Sequence, residues 1–213
     1  MRKFLSILLS MVLGFTCMLS LTSESSANSP SYSNNVEFQL QVLSDSHTNE
    51  QVPYKITSAS TQKTGENKYV TDYTVSVPLS GLGIQPLSSI TSEKDEDALT
   101  ARLSVTYYFR NNNSEIKITN VSGSWRGSIT PVETKDREVS VTDGNGAFLI
   151  GAKIHRWHPT SDTFSYNTGW DYVSYTPHSA GAMSGPRCYS EVYYRIPSMG
   201  WDWHYLYFMI EIK

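Results

Sequence analysis

Residues 100–125 read TARLSVTYYFRNNNSEIKITNVSGSW, and this stretch decides the fold class. Its first half alternates between apolar and polar residues, which is the period of a β-strand with one buried face. The apolar positions of this half are Ala101, Leu103, Val105, Tyr107 and Phe109. Three consecutive asparagines follow, and asparagine tolerates the left-handed backbone of a tight connection. Because the alternation then resumes, the sequence predicts a β-hairpin.

In the return strand of this hairpin, the apolar residues change from even-numbered to odd-numbered positions. Ile116 and Ile118 are even-numbered, whereas the apolar positions that follow are odd-numbered. One extra residue, bulged out near Thr119 or Asn120, would keep all of these side chains on a single face. Such a bulge aims Trp125 toward the same side as the isoleucines, and we expect Trp125 to anchor the core.

Further segments repeat the two-residue alternation, and none shows a sustained helical period. Val36 to Leu43 and Tyr69 to Leu79 are predicted half-buried strands. The closing strand has two apolar faces, so we expect it in the middle of a sheet. One face consists of Leu206, Phe208, Ile210 and Ile212, and the other consists of Trp203, Tyr205, Tyr207 and Met209. With about nine strands in one chain of this length, the sequence predicts an all-β fold, a single-domain antiparallel β-sandwich. A related β-barrel is the alternative.

Residues 1–27 have the features of a secretory signal peptide. Arg2 and Lys3 precede a mostly apolar run, Phe4 to Leu21, and the small residues Ser-Ser-Ala end the segment. The sequence therefore predicts cleavage before Asn28 and a secreted, extracellular protein. An uncleaved membrane anchor is the alternative, because the apolar run is close to the shortest that spans a bilayer.

The predicted mature chain, residues 28–213, suits one domain that begins with a loose polar arm at 28–35. Without the three charged residues of the signal it carries 17 − 2 = 15 basic and 20 − 1 = 19 acidic residues. This balance gives no electrostatic reason to bind nucleic acid, and we expect no stable membrane insertion after cleavage. Cys188 is then the single cysteine, so no internal disulfide can form, and we expect a buried thiol.

A family resemblance rests on two short patterns. The run EIKITNVSGSW at 115–125, followed by RxVxV at 137–141, resembles small secreted proteins of Gram-positive bacteria that are uncharacterised and all-β. The two patterns comprise 16 of the 213 residues of the chain. The resemblance implies an exported all-β protein and brings no catalytic residues with it.

No pattern in the chain carries a catalytic or metal-binding signature. His155 and His158 are three residues apart, but Arg156 and Trp157 occupy the positions between them, so the HExxH motif of zinc proteases is absent. The acidic run SEKDED at 92–97 lacks the spacing of a calcium loop. We therefore predict no metal, no cofactor and no catalytic residue, and the sequence favours a protein that is not an enzyme.

Aromatic residues concentrate in the last third of the chain. Sugars stack on exposed indole and phenol rings, although aromatic side chains also fill the cores of β-sandwiches, and the sequence leaves both interpretations open. The candidate ligand-binding residues are Trp157, Trp170, Tyr172, Trp201 and Trp203.

Three functional hypotheses follow. The first is a secreted, non-enzymatic protein that binds cell-wall polysaccharide, or a surface protein, through these aromatic residues. The second is a secreted glycan hydrolase with a carboxylate pair near Asp171 and Asp202. The third is a secreted toxin or antimicrobial β-protein, which needs a long amphipathic hairpin that only Tyr69 to Val77 partly matches.

Overall fold

The computed structural model describes the backbone of residues 36–44 and all atoms of residues 54–78, 97–127, 132–144, 152–175, 185–197 and 203–212. The predicted signal peptide (1–27) and polar arm (28–35) lie outside the described residues. Trp201 and Asp202 lie outside them as well.

The described residues form eleven β-strands and no helix. The strands are β1 (Val36–Ser44), β2 (Lys55–Gly65), β3 (Lys68–Pro78), β4 (Asp97–Arg110), β5 (Glu115–Gly127), β6 (Glu133–Thr142), β7 (Ile154–Trp157), β8 (Thr163–Asn167), β9 (Val173–Ser174), β10 (Arg187–Arg195) and β11 (His204–Ile212). The sequence predicted about nine strands, and the described residues form eleven, of which β7 and β9 are only four and two residues long.

The strands form two antiparallel sheets that pack face to face. The five-stranded sheet has the order β1-β11-β10-β6-β7, and the six-stranded sheet has the order β2-β3-β4-β5-β8 with β9 paired to β5. In the described residues the two sheets are not joined into one closed sheet. The predicted antiparallel β-sandwich is therefore confirmed. β11 lies between β1 and β10, as its two apolar faces predicted.

The β4–β5 hairpin has the predicted turn and the predicted bulge. Its three asparagines have φ angles of 52°, 54° and 63°, all in the left-handed region. Thr106 pairs with Asn120, whereas the next residue, Tyr107, pairs with Ile118. Thr119 is thus the extra residue, and its hydroxyl donates a hydrogen bond to the Thr106 carbonyl at 3.2 Å.

The core lies between the sheets and is filled by alternate residues of the long central strands. Trp125 is 1% exposed, and its ring centroid lies 4.9 Å from that of Phe164 on β8. Other fully buried large side chains are Tyr107, Tyr194, Phe208, Leu99, Leu103, Ile116, Ile118, Leu206, Ile210 and Ile212. Cys188 is also fully buried, and burial raises the pKa of its thiol. A thiol in this environment is unreactive.

Candidate functional site

The structure distributes the predicted ligand-binding residues over three surfaces. Trp157 and Trp170 belong to a stack of rings at one edge of the sandwich. Tyr172 lies beside lysine and arginine side chains on the outer face of the six-stranded sheet. Trp203 lies on the outer face of the five-stranded sheet. These four residues therefore do not form one platform.

A stack of aromatic rings joins the two edge strands β7 and β8. From the surface inward, the centroid distances are 5.2 Å for Trp170 to His155, 5.3 Å for His155 to Trp157 and 4.8 Å for Trp157 to Tyr166. Phe164 continues the series at 6.2 Å from Tyr166. These rings form an edge column that seals one open side of the sandwich.

Ring faces in the edge column stack on neighbouring rings of the same column. His155 and Trp157 each stack on two neighbouring rings, and Trp157 and Trp170 also pack against the buried core. A sugar needs an open ring face of the kind that these contacts occupy. The column is therefore better suited to closing the core than to binding a ligand.

Trp203 belongs to a second aromatic surface, which we name the tyrosine face. Alternate residues of β10 and β11 face the core, and tyrosines occupy four of the outer positions between them. The tyrosine face consists of Tyr189, Tyr193, Trp203, Tyr205 and Tyr207, each partly exposed. Two cross-strand pairs build it, with centroid distances of 5.8 Å for Tyr189 to Tyr207 and 5.0 Å for Tyr193 to Tyr205.

Polar and charged groups surround the tyrosine face. The Tyr205 hydroxyl donates a hydrogen bond to the Glu191 carboxylate at 2.7 Å. The Lys135 ammonium lies 4.2 Å from the centroid of the Trp203 ring, and the Arg195 guanidinium lies 4.7 Å from it. Aromatic rings bordered by hydrogen-bonding groups of both signs are typical of surfaces that recognise polar ligands.

The sequence indicated only part of this surface. Trp203 was predicted as a binding residue, whereas Tyr189, Tyr193 and Tyr207 were not. The signal was present, because tyrosines repeat at every second or fourth position in both strands. Their meeting depends on the register between β10 and β11, which no local pattern determines.

Burial raises the pKa of several tyrosines in this protein. The pKa of Tyr205 is raised by burial and by its hydrogen bond to Glu191, and that of Tyr207 is raised mainly by burial. Burial also raises the pKa of Tyr175 from 10.0 to about 12. These hydroxyls are thus held in their neutral form in the folded protein.

We expect the folded state to lose stability as the pH rises above 10, because unfolded tyrosines ionise there while Tyr175, Tyr205 and Tyr207 stay neutral. Below pH 10 the contribution of these three tyrosines to the free energy of unfolding is fully present, and it declines as the pH approaches 12 and beyond. Tyrosinate absorbance and circular dichroism, recorded together against pH, check the prediction. Full ionisation near pH 10 with an unchanged dichroism spectrum would contradict it.

Two aspartates near the aromatic residues, Asp162 and Asp171, have different surroundings. Asp162 accepts hydrogen bonds from the Arg137 guanidinium and the Thr134 hydroxyl at 2.7 and 2.6 Å. Asp171 is exposed and accepts a hydrogen bond from the Tyr172 backbone amide at 2.8 Å. Its proposed partner, Asp202, lies outside the described residues, so the pair stays a prediction.

Neither metal ligands nor known relatives identify a site. Within the ranges that the structure describes, no three histidine, cysteine, aspartate or glutamate side chains gather in a group that could hold a metal ion. No helix in the same ranges is long and apolar enough to cross a membrane. No family model matches the chain, and no curated protein or solved structure matches it either. The function is therefore inferred from the chain's own side chains.

Proposed function

We propose that this chain is a secreted, non-enzymatic protein that binds polysaccharide of the cell envelope through the tyrosine face. The observation that supports the proposal is the gathering of five partly exposed aromatic side chains on one face of one sheet. Aromatic patches of this kind on a protein surface are uncommon unless they bind something. The predicted signal peptide at residues 1–27 is consistent with a partner outside the cell.

The layout of the tyrosine face suits an extended chain. Trp203, Tyr205 and Tyr207 occupy alternate positions, so their backbone positions span about 13 Å along the strand direction. Tyr189 and Tyr193 widen the surface on the neighbouring strand, about 4.8 Å away. A surface of this length fits several sugar rings in a row better than it fits one small molecule.

The chemistry of the tyrosine face suits carbohydrate as well. The apolar faces of sugar rings stack on phenol and indole rings, while sugar hydroxyls need hydrogen-bonding partners. Glu191 can accept such hydrogen bonds, and Lys135 and Arg195 can donate them. Because their side chains already border the rings, these groups are placed to hold a bound chain without a large rearrangement.

Replacing Trp203 with alanine is expected to weaken binding to insoluble peptidoglycan or polysaccharide about tenfold, because the ring supplies stacking area at one end of the tyrosine face. Co-sedimentation with the purified polymers measures the effect. Tyr54→Ala is the matched control, since Tyr54 is 42% exposed and lies next to β2 in the other sheet. Loss of binding in both variants, or no retention of the wild-type protein, would refute the proposal.

The same preparation separates binding from hydrolysis. Release of soluble sugar from the polymer by the wild-type protein would favour the hydrolase hypothesis, and Asp171→Asn would then be expected to abolish the release. Retention without release is the expected result. It distinguishes a binding protein from an enzyme without knowledge of the natural glycan.

A further inference from the structure

The outer face of the six-stranded sheet carries a second organised surface. Lys68 on β3 stands directly opposite Tyr108 on β4, and Tyr108 stands directly opposite Lys117 on β5. The three residues thus form one line across three neighbouring strands. Tyr172 and Arg110 extend the line, and we name these five residues the cation–aromatic row.

Cations and rings alternate along the row. The Lys117 ammonium lies 5.5 Å from the centroid of the Tyr108 ring and 4.9 Å from that of Tyr172. The Lys68 ammonium lies 5.9 Å from the Tyr108 centroid, and the Arg110 guanidinium lies 4.0 Å from the Tyr172 centroid. Contacts of this type orient the cations without neutralising their charge.

The cations of the row differ in whether a carboxylate pairs with them. Arg110 forms an ion pair with Glu115 at 2.5 Å, and the negative charge of Asp171 also attracts the Arg110 guanidinium. The ammonium groups of Lys68 and Lys117, in contrast, form no ion pair with any carboxylate in the described ranges. Two uncompensated positive charges therefore flank Tyr108 on a protein whose net charge is −3.

We propose that the cation–aromatic row binds an anionic polymer whose phosphate or carboxylate groups reach Lys68 and Lys117 while its uncharged part lies on Tyr108. The two lysines are two strand spacings apart, which places their backbone positions about 10 Å from each other. A polymer is the favoured ligand because one exposed lysine binds a single anion weakly, whereas successive contacts along one chain reinforce each other. This site goes beyond the proposed function, since it lies on the other sheet and relies on charge.

The test compares two double variants of the full chain. Lys68→Met/Lys117→Met is expected to weaken binding to polyphosphate or polygalacturonate at least tenfold and to reduce the dependence of binding on salt concentration. Lys55→Met/Lys153→Met changes the net charge equally at two exposed lysines outside the row and is expected to alter binding less than about twofold. Affinity is measured by titration at several salt concentrations, with circular dichroism to verify folding.

The outcomes separate this site from the tyrosine face. Equal losses in the two double variants would show an effect of net charge alone and would overturn the proposal, as would absence of polyanion binding by the wild-type protein. Trp203→Ala is expected to leave polyanion binding unchanged, and Lys68→Met/Lys117→Met is expected to leave binding to uncharged dextran or cellulose unchanged. Polyphosphate carries phosphates and polygalacturonate carries carboxylates, so their relative affinities identify the anionic group that the row prefers.

Discussion

Replacing Trp125 with alanine is expected to lower the free energy of unfolding by about 4 kcal/mol. The indole is 1% exposed, lies between the two sheets and contacts Phe164, which links it to Tyr166 in the edge column. Removing the ring leaves a cavity in the core and loosens the contact between the core and the column. Chemical denaturation followed by circular dichroism measures the change.

The conservative variant Trp125→Phe tests whether ring packing is the cause. The indole nitrogen of Trp125 has no hydrogen-bond partner among the described atoms, so a phenyl ring gives up area but no hydrogen bond. We expect a loss of about 1–2 kcal/mol for phenylalanine, clearly smaller than for alanine. Equal losses in the two variants would mean that Trp125 acts in some way other than by filling the core.

Replacing Glu211 with leucine is expected to destabilise the fold by about 3–5 kcal/mol. The carboxylate accepts hydrogen bonds from Nε and Nη2 of Arg187 at 3.0 and 2.9 Å, and the two side chains are only 2% and 7% exposed. Without the carboxylate the guanidinium stays buried and loses its ion pair with Glu211. Thermal and chemical denaturation of the variant, compared with the wild-type protein, test the expectation.

Removing both charges is expected to recover most of that loss. In the double variant Arg187→Leu/Glu211→Leu both members of the buried ion pair are gone, and apolar side chains replace them. We expect its stability to lie within about 2 kcal/mol of the wild-type value. A double variant as unstable as Glu211→Leu alone would show that contacts of Arg187 other than the ion pair maintain this region.

Local sequence predicted the β4–β5 hairpin in detail. Alternation identified the buried face of β4, and the change of parity after Ile118 located the bulge that the structure assigns to Thr119. The three asparagines marked the turn because their side chains tolerate positive φ. These features depend on residues close together in the chain, and for that reason they could be predicted without knowledge of the fold.

The roles of the aromatic residues could not be predicted in the same way. Trp157 and Trp203 occur in similar stretches of sequence, yet the first stacks inside the edge column and the second borders the tyrosine face. The difference arises from pairing between distant strands. β7 and β8 meet across the edge of the sandwich, whereas β10 and β11 pair within one sheet.

By itself, the sequence determined an all-β chain with an anchored core, because the alternation of apolar and polar residues is set by the geometry of each strand. Only the tertiary structure decided which rings share a surface, that Lys68 and Lys117 form no ion pair within the described residues, and where Glu211 meets Arg187. Those arrangements depend on strand order and register. They result from the packing of the whole sandwich and are not recorded in any single segment.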